Sequence, residues 1–592
     1  MKRVWLLAIL VGILSGADNS DAETALPDSK STSLYYRIGL LGCPSKPDVE
    51  WNEQNLNRLK KLGFNTMQLN LAWGCRPADE PLNLEDVVYD EAISKSYSFK
   101  GLHPFRADNS PARKQQRQDE LRKRIALCKK TGMRTLFHFG APNNVCYSFG
   151  SADIDSKMPL CLLDPNTTQY YVKMLDAFVK MYPGVDDILV YTYDQDAWLC
   201  NEFGTCPACQ GIPLHERVVP FVNKLARAWK QCNPNGRFWW EPWELSAGQV
   251  YQCIEQLDPD CVGLMLHSNV AEVQVTMAVD RWLKNSCYLA KTRAIPVVVE
   301  CFLGAPSEEV EPFNHLAYPH VVFRQIKAIH ALDGVIGIKE YYGTIPDKED
   351  ANLRVSGAFF NNSTMTESQA IDEIAKEYGP AGESVKQFWT KTSQAMELFP
   401  WDTSWYIRQV GRCDPVHSMT AAFIRGQQTH TPSWASTRSA IFMKTDNAQP
   451  DPWMLEDVQL RCELAAQRLS EALTIGKAIQ SKVPVSLSED FQKGLEEWGE
   501  FQRRTLSYAY HLRETNLVTM MRRLRQAKEP IPDRLLQELK EVLLADQANQ
   551  KQKEPIQTAL NALNKDVDAF LSEYFQTTDD RISKGHFTLT SR

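Results

Sequence analysis

Acidic residues stand at the ends of apolar runs in this sequence, with tryptophans beside them. The run Ile188-Leu189-Val190-Tyr191-Thr192-Tyr193 stops at Asp194-Gln195-Asp196-Ala197-Trp198. Phe238-Trp239-Trp240 stops at Glu241-Pro242-Trp243-Glu244, and Val297-Val298-Val299 at Glu300-Cys301-Phe302. Further runs end His267-Ser268-Asn269 and Lys339-Glu340-Tyr341-Tyr342, and two others reach Asn70 with Trp73, and His138. Carboxylates that emerge from rigid strands can serve as nucleophile, general acid or charge stabiliser. Aromatic faces next to them stack on the apolar faces of pyranose rings. Two carboxyls and such a platform suffice to cleave a glycosidic bond.

The catalytic candidates are therefore Glu300, Asp194, Asp196, Glu241 and Glu340. Glu300 follows three valines, so its carboxylate is expected to emerge from the strand as nucleophile or charge stabiliser. Asp194 or Asp196 is the expected general acid, its pKa raised by apolar neighbours such as Trp198. Glu241, Glu244 and Glu340 compete for these roles, or bind hydroxyls, or pair with Lys339 or Arg37. A retaining enzyme needs its pair about 5–5.5 Å apart and an inverting one about 6.5–9.5 Å. A substrate-assisted course, in which adjacent acids orient an acetamido group, is compatible with Asp194 and Asp196. The substrate-binding candidates are Asn70, Trp73, His138, Tyr193, Trp198, Trp240, Trp243, His267, Tyr341 and Tyr342. Taken singly, each acid could merely cap a turn and each tryptophan could be core. The rival reading is a carbohydrate-binding barrel without turnover.

His138 and His267 read as hydrogen-bonding groups rather than metal ligands. A metal-dependent barrel hydrolase would show His-x-His at the first strand, which here ends Gly42-Cys43-Pro44. No dinucleotide fingerprint follows that strand, and no Gly-rich turn opens a helix after strands seven or eight, as phosphate binding would need. No cofactor is expected, and the partner expected is a carbohydrate substrate.

What must position these residues is a repeating alternation of strand and helix patterns. Strands are expected over 34–44, 64–74, 133–142, 186–196, 237–245, 261–270, 295–304 and 334–343. Helices are expected between them, over 51–62, 119–130, 166–182, 215–231, 249–256, 271–284 and 320–332. Eight such units favour a closed (β/α)8 barrel, whose active residues gather at the carboxyl ends of the strands. Beyond it, 367–378, 382–399, 452–479, 488–517, 533–547 and 555–575 read as helices. The expected division is 1–25 signal peptide and polar segment, 33–365 catalytic barrel, and 366–592 mostly α-helical C-terminal domain.

The chain has 592 residues and a net charge of −7 without basic runs, which argues against nucleic acid as a partner. Met1-Lys2-Arg3, an apolar run from Val4 to Leu14, and Ser15-Gly16-Ala17 have the form of a secretory signal. That run is too short to span a bilayer, so a secreted or periplasmic protein without a membrane span is expected. Of the 15 cysteines, Cys200, Cys206 and Cys209 cluster in the loop after the fourth strand. Cys206-Pro-Ala-Cys209 has the spacing of half a zinc site, which Cys146, Cys161 or His215 could complete. In an exported chain the expectation is instead a loop-stapling disulfide.

Tyr191-Thr192-Tyr193-Asp194-Gln195-Asp196, followed by Cys200 and Cys206-x-x-Cys209, resembles a barrel family of polysaccharide utilisation. That family includes endo-β-N-acetylglucosaminidases of glycoside hydrolase family 163. Leu163-Asp164-Pro165-Asn166 is also similar to segments of hexosaminidase-like barrels. The resemblance covers the third and fourth units. It implies a glycosidase acting on amino-sugar-containing glycans, with a site at Asp194 and Asp196.

Overall fold

The computed structural model describes residues 34–71, 83–88, 110–143, 160–192, 197, 199–200, 202–243, 245–267, 279–307, 310–346, 349–401 and 452–574. Eight parallel strands close into a barrel in sequence order, with β8 paired back to β1. They are β1 (Tyr36–Leu40), β2 (Thr66–Gln68), β3 (Arg134–Gly140), β4 (Asp187–Tyr191), β5 (Phe238–Glu241), β6 (Val262–His267), β7 (Val297–Cys301) and β8 (Val335–Glu340). A helix follows each strand: α1 (Glu53–Lys61), α2 (Pro111–Thr131), α3 (Pro165–Met181), α4 (Leu214–Cys232), α5 (Ala247–Ile254), α6 (Arg281–Thr292), α7 (Pro319–His330) and α8 (Ala351–Asn361). Then come α9 (Glu367–Ala375), α10 (Gly382–Leu398), α11 (Pro452–Ile479), α12 (Val485–Gln526), α13 (Asp533–Asn549) and α14 (Glu554–Lys565). The fold is a (β/α)8 barrel followed by a helical C-terminal region.

Local chemistry sets the helix ends. Asn52 and Asp164 cap α1 and α3 by accepting from Asn55 N and Asn166 N, a role suited to short polar side chains. Gly132 ends α2 in the left-handed conformation, at φ 71°, where glycine carries no Cβ penalty. Several helices differ from expectation. Helix α2, expected over 119–130, begins at Pro111, where Ser110 caps it by accepting from Arg113 N, and α12, expected over 488–517, runs on to Gln526. The helix expected over 271–284 lies mostly outside the described residues; the helix described there runs from Arg281 to Thr292, and Asp280 caps it by accepting from Leu283 N. Helix α8 was not expected at all; Gly357 lies in its middle and reads as a breaker.

The strands are buried on both faces, as a parallel sheet wrapped by helices must be. Inside, Tyr36, Ile38, Leu136, Leu189, Trp239, Met265 and Val298 form an apolar plug. Outside, one continuous core runs from the barrel's outer face through the C-terminal helices to Leu512 on α12. A separate core, including Leu517, Leu539, Leu560 and Tyr574, joins the far end of α12 to α13 and α14. Helix α12 also grips two connections at the barrel mouth. Glu497 accepts from Asn314 N and His315 N at 3.0 and 2.7 Å, and lies 2.8 Å from His315 Nδ1. Asp490 accepts from Glu349 N at 2.8 Å.

Candidate active site

The apolar plug fixes which residues face inward, because side chains alternate along a strand. Two residues beyond the plug residues, toward the carboxyl ends, stand His138 on β3, Tyr191 on β4, Glu241 on β5, His267 on β6 and Glu300 on β7. Strand β8 completes this layer through an irregularity. Val297 pairs with Val335, but Val298 pairs with Gly337, so Glu300 falls in register with Lys339. Slipping a strand by one residue exchanges its faces. Lys339 therefore joins the inner layer, and Glu340 points the other way.

Lys339 Nζ lies 2.6 Å from Glu300 Oε1, with both side chains fully buried. His138 Nε2 lies 3.1 Å from Glu241 Oε2, also buried. Asn70 holds His138 in place: its Nδ2 donates to the His138 carbonyl at 2.6 Å, and its Oδ1 accepts from His138 N at 3.0 Å. The amide side chain thus extends the β2–β3 ladder where the strand backbone leaves it. Glu300 Oε2 receives no hydrogen bond from the described groups. Buried polar atoms are ordinarily satisfied, so this oxygen marks where a ligand would bond.

The electrostatics follow from burial. Desolvation pushes Glu241 up to about 7, against the Lys339 charge and a hydrogen bond with Glu300. Glu300 also rises to about 7, through burial first and then the Glu241 charge, with Lys339 opposing. The two carboxyls are thus direct neighbours, and each perturbs the other. Shifts of this kind concentrate at functional sites.

Aromatic groups wall one side. Trp243 stacks on Tyr341 with ring centroids 5.3 Å apart and planes 8° apart, and packs on His267 at 4.2 Å. Trp282 of α6 stacks on His267 from elsewhere at 5.5 Å. Tyr191 meets His138 edge-on at 5.2 Å. Its ring fits because residue 140 is glycine: a Cβ there would lie 2.6 Å from Tyr191 Cζ.

The structure therefore gathers Asn70, His138, Glu241, Trp243, His267, Glu300 and Tyr341 near one another. It sets two candidates apart. Glu340 accepts backbone N–H groups from Leu303, Tyr342 and Gly343 at 2.8, 2.8 and 3.0 Å, so its carboxylate shapes the turns after β7 and β8. Trp240 faces the helical layer, and its Nε1 donates to Thr192 Oγ1 at 3.1 Å. Tyr342 is buried beside Phe302, at 6.5 Å between centroids. Trp73, Tyr193, Asp194, Asp196, Trp198 and Glu244 lie outside the described residues. Sequence reasoning did not single out Tyr191, although counting inward from Asp187 by twos reaches it. It named Lys339 only as an ion-pair partner.

Among solved structures, the chain is similar to a GH138 enzyme targeting pectin rhamnogalacturonan II, at a TM-score of 0.56 and 10% identity over 87% of this chain and 76% of that one. The likeness is one of fold, a (β/α)8 barrel with helices beyond it. A β-glucosidase from Pyrococcus furiosus matches 57% of this chain and 97% of its own, at a TM-score of 0.35 and 11% identity. An endo-glycoceramidase II from Rhodococcus sp. matches 54% and 78%, at 0.33 and 12%. No family model matches the sequence, and no curated protein does.

Proposed function

We propose that the protein is an exported glycoside hydrolase that cleaves an oligo- or polysaccharide with Glu241 and Glu300 as its carboxyl pair. The observation that carries this reading is their burial as neighbours above the apolar plug, both pushed up to about 7. Two adjacent buried carboxyls hold one proton between them near neutrality. Lys339, 2.6 Å from Glu300, favours the negative charge there, and with that ion pair in place we assign the shared proton to Glu241. Environments that push two acids toward different protonation states assign their roles. Glu300 is then nucleophile or charge stabiliser, and Glu241 the general acid.

In the retaining course, a Glu300 oxygen bonds to the anomeric carbon as the glycosidic C–O bond breaks. The Glu241 proton passes to the departing oxygen. Water, deprotonated by Glu241, then displaces Glu300. His138 orients Glu241, and Asn70 orients His138. Trp243 and Tyr341 wall the sugar site. The resemblance to family 163 makes N-acetylhexosamine-containing glycans the first substrates to try, and the GH138 neighbour makes pectic glycans the second. Export would use the segment before Leu34, which lies outside the described residues; among the described residues, no helix is long and apolar enough to cross a membrane.

The test is a screen of the purified protein against aryl glycosides and host and plant glycans, followed by carboxylate variants. Glu241→Gln and Glu300→Gln should each lower kcat by about 10²–10⁴-fold with binding retained. Glu340→Gln should lower the melting temperature more than it lowers kcat. Binding without turnover by the wild-type chain would favour a carbohydrate-binding barrel, and near-normal turnover by Glu300→Gln would sink the assignment. Loss of activity in Asp194→Asn or Asp196→Asn, with Glu241→Gln active, would move the acid to β4.

A further inference from the structure

Away from the carboxyl pair, the loop after β4 is held by sulfur. Cys161, from the connection after β3, meets Cys200, Cys206 and Cys209, and all four Sγ atoms lie within 4.8 Å of one another. Cys161 thus joins the cysteines whose spacing resembles half a zinc site. The four cysteines are buried, Cys200 at 6% exposure and the others at 1%. They form a small cluster of their own, with Leu163 and Ala208 the partly buried hydrophobic residues packed against it among the described residues. No disulfide links these four, and the sulfurs of Cys161 and Cys209 lie 3.2 Å apart.

We propose that Cys161, Cys200, Cys206 and Cys209 bind one zinc ion, which staples the connection after β3 to the connection after β4. Tetrahedral zinc with Zn–S bonds of about 2.3 Å sets its four sulfurs about 3.8 Å apart. The observed cluster surrounds such a centre with little rearrangement. A disulfide needs each sulfur to approach one partner at about 2.05 Å, and two disulfides give no reason for all four sulfurs to converge. A shared ion does.

The surrounding loop suits the ion. Cys206-Pro207-Ala208-Cys209 forms a tight turn, with Cys209 N and Gln210 N both donating to the Cys206 carbonyl, at 3.1 and 3.0 Å. That turn presents two sulfurs from one short segment, as closed four-cysteine zinc sites do. Zinc with four thiolates carries a net charge of −2, and a buried cation stands beside it. Arg217 on α4 donates from Nη1 to the Cys200 carbonyl at 2.7 Å and from Nε to the Ile212 carbonyl at 2.9 Å. The guanidinium thereby locks both ends of the cysteine loop and offsets the charge. Because the apolar cluster is so small, metal binding would supply the folding free energy of this loop.

The test uses the full chain, purified without chelator or added metal. Elemental analysis should find about one zinc per chain, released by a thiol-modifying mercurial, and replacement with cobalt(II) should give the intense visible bands of tetrahedral thiolate coordination. Cys161→Ser and Cys206→Ser should lose the zinc. A strong chelator under non-reducing conditions should lower the melting temperature of the wild-type chain. A chain with no zinc and two disulfides by alkylation and mass analysis overturns the proposal, as does one with four unmetallated thiols or with iron in the site. The wild-type measurements decide the matter even if a cysteine variant fails to fold.

Discussion

Two carboxyls buried as neighbours repel when both are ionised, because the barrel interior screens charge poorly. Glu241 and Glu300 bind protons more tightly folded than unfolded, since both rise from 4.5 to about 7. Their contribution to stability is complete below about pH 4.5 and is lost as pH rises through about 7. Glu241→Gln should therefore raise the melting temperature at pH 8 relative to wild type, with the gain vanishing near pH 4. Calorimetry across that range checks it; an equal gain at both pH values would mean packing, not charge, is responsible. The inner layer was partly legible in sequence, because Glu241, His267, Glu300 and His138 all stand where apolar runs end. Trp240 was harder to place: a strand buried on both faces shows no polar alternation to tell its inner face from its outer. Glu340 was illegible for another reason. The irregularity between Val297 and Val298 exchanges the faces of β8 relative to β7, and no residue type announces it.

At the scale of elements, glycines make room for the largest side chains of the barrel interior. Gly337 on β8 faces Tyr36 on β1, and a Cβ there would lie 2.4 Å from Tyr36 Cβ and 2.8 Å from its carbonyl oxygen. A backbone atom cannot move aside cheaply. Gly337→Ala should therefore destabilise the protein by about 1–3 kcal/mol in denaturant unfolding; a neutral effect would mean the two strands can separate. The same close packing explains the helix that the sequence did not reveal. Gly357 in α8 lets Leu62 approach to 2.7 Å of where a Cβ would stand, so a residue type that disfavours helix interiors serves a helix contact here. The remaining alternation was legible because apolar periodicity marks the helices, although the Ser110 cap that starts α2 at Pro111 was not read.

At the scale of the molecule, the barrel and the first C-terminal helices share one apolar core, with α12 gripping the mouth through Asp490 and Glu497. The expectation is a single cooperative thermal transition for the barrel with α9 to α12. Trp498, fully buried on α12, makes the check: Trp498→Ala should cost about 3–5 kcal/mol and shift that whole transition. A shift confined to a separate, smaller transition would show that barrel and helices melt independently. The apolar plug of Tyr36, Trp239, Met265 and their neighbours has a consequence for traffic. It closes the barrel from below, so under the proposed glycosidase function both fragments of a cut glycan would leave through the same mouth that admitted it. On that reading each departing fragment would occupy the ground the next chain needs, and turnover on long substrates would depend on how fast the mouth clears.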